Sequence, residues 1–112
     1  MPRMTVLSAR AVLAALGVLL CHGAARADDP WCIGGVSFRV TPGKDTPGHD
    51  FLATQSRTSD LCALFCANDA RCTHFTYLDG VAPGSRPNCY LKTSVNSSTD
   101  MPQATSGART GR

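Results

Sequence analysis

Four closely spaced cysteines constrain the fold of this chain more than any other feature. Three residues separate Cys62 from Cys66, five more separate Cys66 from Cys72, and Cys89 lies beyond a turn-rich segment. Residues four apart share one face of a helix, so Cys62 and Cys66 could tie such a face to a neighbouring sheet. The spacing is typical of a small module held together by disulfide bonds rather than of an enzyme.

Residues 1–27 have the organisation of a secretory signal peptide. Arg3 and Arg10 form a basic front, an apolar stretch covers residues 11–20, and residues 25–27 supply an Ala-Arg-Ala cleavage site. The apolar stretch is shorter than the ~20 residues that a spanning helix needs. We therefore expect a mature protein that is secreted or extracellular, periplasmic or at the cell surface if bacterial, with no membrane partner.

The mature chain carries no formal net charge. Removing Arg3, Arg10 and Arg26 from the eleven lysines and arginines leaves eight, which equals the eight acidic residues, all of them aspartates. Nucleic acids and anionic lipids are bound by basic surfaces, and a chain without net positive charge gives no sign of such a surface. We expect no nucleic-acid partner.

The mature chain is too small to depend on a hydrophobic core alone. Removing residues 1–27 from the 112 residues leaves 85, near the size at which a core supplies only a few kcal/mol. An exported protein meets oxidising conditions, so its cysteines are expected to form disulfide bonds. Loss of Cys21 with the signal leaves an odd number of cysteines, five.

Hydrophobic periodicity predicts the elements of the first half. Alternation over residues 34–40 predicts a half-buried strand, and two Pro-Gly turns predict a surface loop over residues 41–48. A short strand is predicted over residues 50–54. N-cap candidates at residues 58–60 begin a helix that reaches about Ala70.

A β-hairpin is predicted after the helix. From Cys72 to Tyr77 the pattern has a period of two, residues 79–87 are rich in turn formers, and residues 88–92 return as the second strand. Phe65 and Phe75 are expected in the core. A last extended segment is expected around residues 105–107.

The order of these residues resembles the PAN/apple domain family. The resemblance covers roughly Gly34 to Arg109 and is carried by this ordered set: Cys62, Cys66, Cys72, Phe75, Tyr77, Cys89, Leu91, Lys92, Ser106 and Gly107. We accordingly assign residues 28–109 to a PAN/apple-like domain and residues 110–112 to a frayed tail.

The resemblance implies an α+β fold, in which one helix packs across a curved antiparallel sheet of about five strands. It also implies two disulfide bonds, Cys62 with Cys89 and Cys66 with Cys72. The residues independently support the second bond, because a helix end and a strand start five residues apart can come within disulfide range.

Cys32 departs from the family pattern. In some apple domains a cysteine at this position pairs with one after the terminal Ser-Gly, and no cysteine follows Gly107 here. We therefore expect Cys32 to be unpaired, to form an intermolecular disulfide bond and so a covalent dimer, or to be capped by a small thiol.

No catalytic, cofactor or metal site is expected. Cys62, Cys66, Cys72 and His74 could be drawn as a zinc set, but oxidising conditions favour disulfide bonds. The chain has no Gly-x-Ser-x-Gly elbow and no glutamate for a paired-carboxylate site.

Recognition of a ligand is the remaining function. PAN/apple domains are non-catalytic adhesion modules that bind proteins or carbohydrates, so we expect a glycan or glycoprotein ligand. Trp31 is the candidate aromatic platform, and His49, Asp50 and Tyr90 are further candidates, since loops carry many binding residues. The polar loops predicted over residues 41–50 and 79–88 are alternative binding sites.

Two other functions stay open from the sequence. One is a protein-interaction or assembly module, and the other is a secreted effector that acts on a foreign protein. Asn96 begins an Asn-Ser-Ser sequon and would be glycosylated only in a eukaryote.

Overall fold

A computed structural model describes residues 30–111, in which one helix packs across a six-stranded antiparallel sheet. The strands are β1 (Trp31–Ile33), β2 (Val36–Asp45), β3 (Asp50–Thr54), β4 (His74–Leu78), β5 (Cys89–Lys92) and β6 (Thr99–Gly111), and the helix is α1 (Ser59–Ala67). This is the predicted α+β fold. The strand beyond the expected five is the short edge strand β1.

The last strand, β6, organises the sheet. The strand order is β1-β2-β6-β4-β5-β3, so β6 lies between the first long strand and the hairpin. The predicted hairpin of β4 and β5 is confirmed, with Tyr77 opposite Cys89. The segment expected around residues 105–107 is the middle of β6. Residues expected to fray from position 110 instead continue β6 as far as Gly111, which lies opposite Ser37.

The loop predicted over residues 41–48 is wrong for its first half, because β2 continues to Asp45. A shift of register between Pro42 and Lys44 marks a bulge at Gly43, whose φ of 78° suits glycine. Strand β1 covers β2 only as far as Phe38, so Pro42 lies where β2 has an open edge and a missing N–H is tolerated. The Pro-Gly pair therefore bends the strand without ending it.

The helix begins where the sequence predicts. The Thr58 hydroxyl accepts a hydrogen bond from the Leu61 N–H at 3.3 Å, which satisfies one of the unpaired donors of the first turn. The helix ends at Ala67, three residues before the predicted end. There the Arg109 side chain donates to the Cys66 and Ala67 carbonyls at 2.8 and 2.9 Å, so β6 caps the helix.

The hydrophobic core lies between α1 and one face of the sheet. Phe38 and Phe75 are fully buried and meet edge to face, with ring centroids 5.5 Å apart. Cys62, Ala63 and Cys66 are the buried face of the helix. Placing Phe65 in the core is wrong: its side chain lies on the outer side of α1 and is 37% exposed.

Both predicted disulfide bonds are confirmed. Cys62 pairs with Cys89 and Cys66 with Cys72, with Cα–Cα distances of 5.5 and 5.2 Å. All four residues are fully buried. The bonds therefore fasten α1 to the hairpin from within the core.

The unpaired state, one of those expected for Cys32, is wrong. Cys32 carries a disulfide bond, and none of the described cysteines is free. The odd count of cysteines depends on assigning residues 1–27 to a cleaved signal, and those residues lie outside the described part of the chain. A covalent dimer through Cys32 stays a prediction.

Candidate functional site

The sheet has one face covered by the helix and one that is not. Residues directly opposite each other in antiparallel strands point to the same side, so Phe75, Gly107 and Val40 share the helix side. The alternate positions form what we call the helix-free face: Arg39, Thr41, His74, Thr76, Tyr90, Lys92, Ser106 and Ala108. Its polar composition separates it from the core side.

The connection between β2 and β3, residues 46–49, folds across the middle of the helix-free face. The Thr46 and Thr76 hydroxyls lie 3.2 Å apart, and the Lys92 ammonium donates to the Gly48 carbonyl at 3.2 Å. The connection is thereby held against the sheet. It forms a wall with a cavity on either side.

One cavity, of about 170 Å³, lies on the β2 and β6 side of the wall, and we call it the cationic cavity. Its side chains are Arg39, Thr41, Lys44, Thr46, His74 and Ser98, with the middle of β6 as its floor. Two cations and several hydroxyls line it, and no carboxylate does.

The other cavity, of about 250 Å³, lies on the β5 side of the wall, and we call it the acidic cavity. Asp45 and Asp50 line it together with Tyr90 and Lys92. Each cavity is smaller than the ~300–1,000 Å³ of pockets that enclose a drug-sized ligand. Each therefore fits a single small chemical unit.

The cations of the cationic cavity differ in how they are held. None of the described residues accepts a hydrogen bond from the exposed guanidinium of Arg39, whereas Lys44 forms an ion pair with Asp100. The Asp100 side chain is 86% exposed. Exposed pairs contribute little, about 0–1 kcal/mol, so Lys44 can exchange Asp100 for another anion.

His74 lines the cationic cavity from strand β4. Its Nδ1 lies 2.7 Å from the Thr73 hydroxyl. Burial, with a smaller effect of the Lys92 charge, lowers the pKa of His74 below its usual 6.5. At neutral pH the ring is therefore uncharged and offers a hydrogen-bonding nitrogen rather than a cation.

A buried ion pair supports the acidic cavity. The Lys92 side chain is only 3% exposed and pairs with Asp50, which comes from the opposite strand β3. A buried ammonium without a partner is costly, so this pair fixes β3, β5 and the wall in one arrangement. The Tyr90 hydroxyl donates to the Pro87 carbonyl at 3.2 Å, which orients its ring beside the cavity.

The structure brings together two of the four residues expected to bind a ligand. Asp50 and Tyr90 line the acidic cavity. Trp31 lies opposite Phe38, on the helix side, where it is half-buried against the core. His49 is exposed at the tip of the wall, in a left-handed conformation with φ of 61°, and lines neither cavity.

The binding loop expected over residues 79–88 borders a third cavity, of about 500 Å³. Several of its polar groups are already paired within the chain. The Asn88 side chain exchanges two hydrogen bonds with the Ser56 backbone at 2.8 and 2.9 Å, and the Tyr77 hydroxyl donates to the Arg57 carbonyl at 3.1 Å. The helix-free face presents the larger set of charged side chains.

Sequence reasoning missed Arg39, Lys44 and Lys92 as site residues. The alternation that places Val36 and Phe38 on the core side also places Arg39 on the other side, so that signal was present. Lys92 is part of the ordered set that resembles the PAN/apple family, but its burial depends on the wall and on Asp50, which are distant in sequence.

In the part of the chain that the structure describes, we find no helix with the length and apolar character of a membrane span. No group of metal-binding side chains is found in the same range. The zinc set that could be drawn from Cys62, Cys66, Cys72 and His74 loses its three sulfur ligands to the disulfide bonds.

Comparison with known families finds a match in the middle of the chain. Residues 42–92, from the bulge of β2 to the end of β5, match the family model described as a PAN domain. No curated protein matches the chain. The matched range holds the helix, both disulfide bonds, the wall and the Asp50–Lys92 pair.

Proposed function

The chain contains a PAN domain, and from that premise we propose that it is a secreted, non-catalytic module that binds carbohydrate, either free or on a glycoprotein. PAN domains are generally binding modules without catalytic activity. The helix-free face is the proposed site.

The observation that carries the proposal is the composition of this face. A sheet face that is only solvated needs no wall and no buried ammonium, yet here Lys92 is 3% exposed and joins two strands and the wall. The result is a pair of small cavities lined by carboxylates, hydroxyls and the Tyr90 ring. Sugar units present hydroxyls and apolar ring faces, which such linings complement.

Secretion is supported by the buried disulfide bonds. Two bonds inside the core of a domain this small persist in oxidising compartments and are rare in reducing ones. The signal-like residues 1–27 lie outside the described residues, so the leader stays a prediction from the sequence.

The test is retention of the protein, purified from a secreting host, on a panel of immobilised polysaccharides. Tyr90→Ala removes the aromatic ring of the acidic cavity, and Phe65→Ala removes a ring of similar size from the outer side of the helix. Tyr90→Ala should weaken retention about tenfold, the equivalent of ~1.4 kcal/mol. Phe65→Ala should leave it unchanged.

Thermal unfolding of both variants controls for loss of fold. Equal retention of Tyr90→Ala and the unchanged protein would contradict a site on the helix-free face. A loss confined to Phe65→Ala would place the glycan on the helix side instead.

A protein ligand is the second candidate function. Leu52, Leu61 and Phe65 are large apolar side chains that are 44%, 36% and 37% exposed. Apolar and aromatic groups of this kind are enriched in the centres of protein interfaces. In that case the polysaccharide panel gives no retention, and Phe65→Ala weakens binding to the protein partner.

A further inference from the structure

We propose that the cationic cavity binds the anionic group of an acidic sugar, a carboxylate or a sulfate, while the acidic cavity binds a neutral sugar of the same glycan. This inference rests on the proposed carbohydrate function and adds the class of sugar. It assigns the two sides of the wall different roles.

Charge is distributed unevenly over a chain whose predicted mature form is neutral. Arg39 and Lys44 line the cationic cavity without a carboxylate, and Asp45 and Asp50 line the acidic cavity. The one cation of the acidic cavity, Lys92, is already committed to Asp50 and the Gly48 carbonyl. The free positive charge of the face is therefore on the cationic side alone.

Arg39 is the group best placed to recognise the anion. Its guanidinium is exposed on β2 and forms no hydrogen bond with the described residues. A guanidinium presents a planar fork of donors that matches the two oxygens of a carboxylate or sulfate. Lys44 becomes a second donor once the anion replaces the exposed carboxylate of Asp100.

The rest of the lining distinguishes an acidic sugar from a simple anion. The Thr41 and Ser98 hydroxyls line the same cavity as the two cations, and so does the uncharged ring of His74. Hydroxyls and a neutral imidazole both donate and accept hydrogen bonds, as sugar hydroxyls do. A simple inorganic anion would leave these groups without partners.

The experiment compares ligands that differ only in charge. Binding of the protein to polygalacturonate and to its fully methyl-esterified form is measured at one ionic strength, because salt weakens contacts between exposed charges. Dextran sulfate against dextran tests the sulfate source, and polyglutamate tests an acidic peptide. The unchanged protein should bind polygalacturonate or dextran sulfate at least tenfold more tightly than the uncharged counterpart and than polyglutamate.

Three variants locate the effect. Arg39→Gln should lower affinity for the acidic polymer about tenfold or more, as expected for a charge-assisted contact. Arg86→Gln removes the same charge from the exposed connection between β4 and β5 and should change nothing. Asp100→Asn releases Lys44 and should raise affinity, which a loss of fold could not produce.

Each other outcome overturns a defined claim. Equal binding to charged and uncharged polymers would refute the acidic sugar and leave the carbohydrate function standing. Equal binding to polyglutamate, or an equal effect of Arg39→Gln and Arg86→Gln, would show general attraction to polyanions and also refute it. Binding to none of the polysaccharides would refute the carbohydrate function itself.

Discussion

Gly107→Ala should destabilise the domain through one contact. An added Cβ at Gly107 would lie 2.1 Å from Cε2 and 2.5 Å from Cζ of Phe75. Carbon atoms do not approach so closely, so either the Phe75 ring or β6 must move. The ring has little freedom, because it is fully buried and packs edge to face against Phe38.

Two opposing effects decide whether Gly107→Ala raises or lowers the stability of the domain. Gly107 does not have a positive φ, so alanine is compatible with its backbone and would by itself stabilise the fold by about 0.4–1 kcal/mol through the unfolded state. Overpacking a core costs about 1–3 kcal/mol. With two ring atoms within 2.5 Å, we expect the upper part of that range and a net loss of about 2 kcal/mol.

Urea unfolding of Gly107→Ala, Phe75→Leu and the double variant measures the effect. Phe75→Leu alone loses apolar burial, but it removes the ring atoms that the new methyl group would meet. The double variant should therefore be more stable than the sum of the two single effects predicts, by about 0.5–3 kcal/mol. Unchanged stability of Gly107→Ala, or additive effects, would refute the reasoning.

Two further predictions concern the disulfide bonds and pH. The sequence separations of 27 for Cys62–Cys89 and 6 for Cys66–Cys72 predict that replacing each pair by alanine lowers the free energy of unfolding by about 3.6 and about 2.2 kcal/mol. A larger drop of the urea midpoint for the Cys66–Cys72 pair than for the Cys62–Cys89 pair would contradict the loop-entropy argument. Because the pKa of His74 is lowered in the folded state, the unfolded chain takes up a proton at a higher pH than the folded chain does. The free energy of unfolding is therefore highest above about pH 6.5 and falls as the pH decreases from there to the folded pKa. The urea midpoint should drop between pH 7.5 and 5.5, and less so in His74→Gln; an equal drop in both proteins would show that another group is responsible.

The sequence predicts the scaffold because local patterns specify it. Thr58 supplies a cap, and residues four apart along α1 place Cys62 and Cys66 on one face. Prediction from a local pattern fails where the pattern has two interpretations. Pro42-Gly43 indicates a turn, but a strand with one open edge accommodates both residues as a bulge.

The site is less predictable, because it depends on contacts between distant residues. Asp50 was accessible as a loop acid, but its partner Lys92 is recognised only when β3 lies beside β5. The aromatic chemistry of Trp31 suggests a binding platform, and only the strand register shows that it lies on the core side. Gly107 is part of the ordered set that resembles the PAN/apple family, yet its physical role appears only beside the Phe75 ring.

The most direct test of the central claim is to follow the aromatic side-chain signals of the protein by NMR during titration with oligogalacturonate. Tyr90 and His74 lie on the helix-free face, whereas Trp31 and Phe65 belong to the helix side. The account predicts saturable shifts of the Tyr90 and His74 signals, with Trp31 and Phe65 unchanged. Shifts of Trp31 or Phe65 with Tyr90 and His74 unchanged would contradict it.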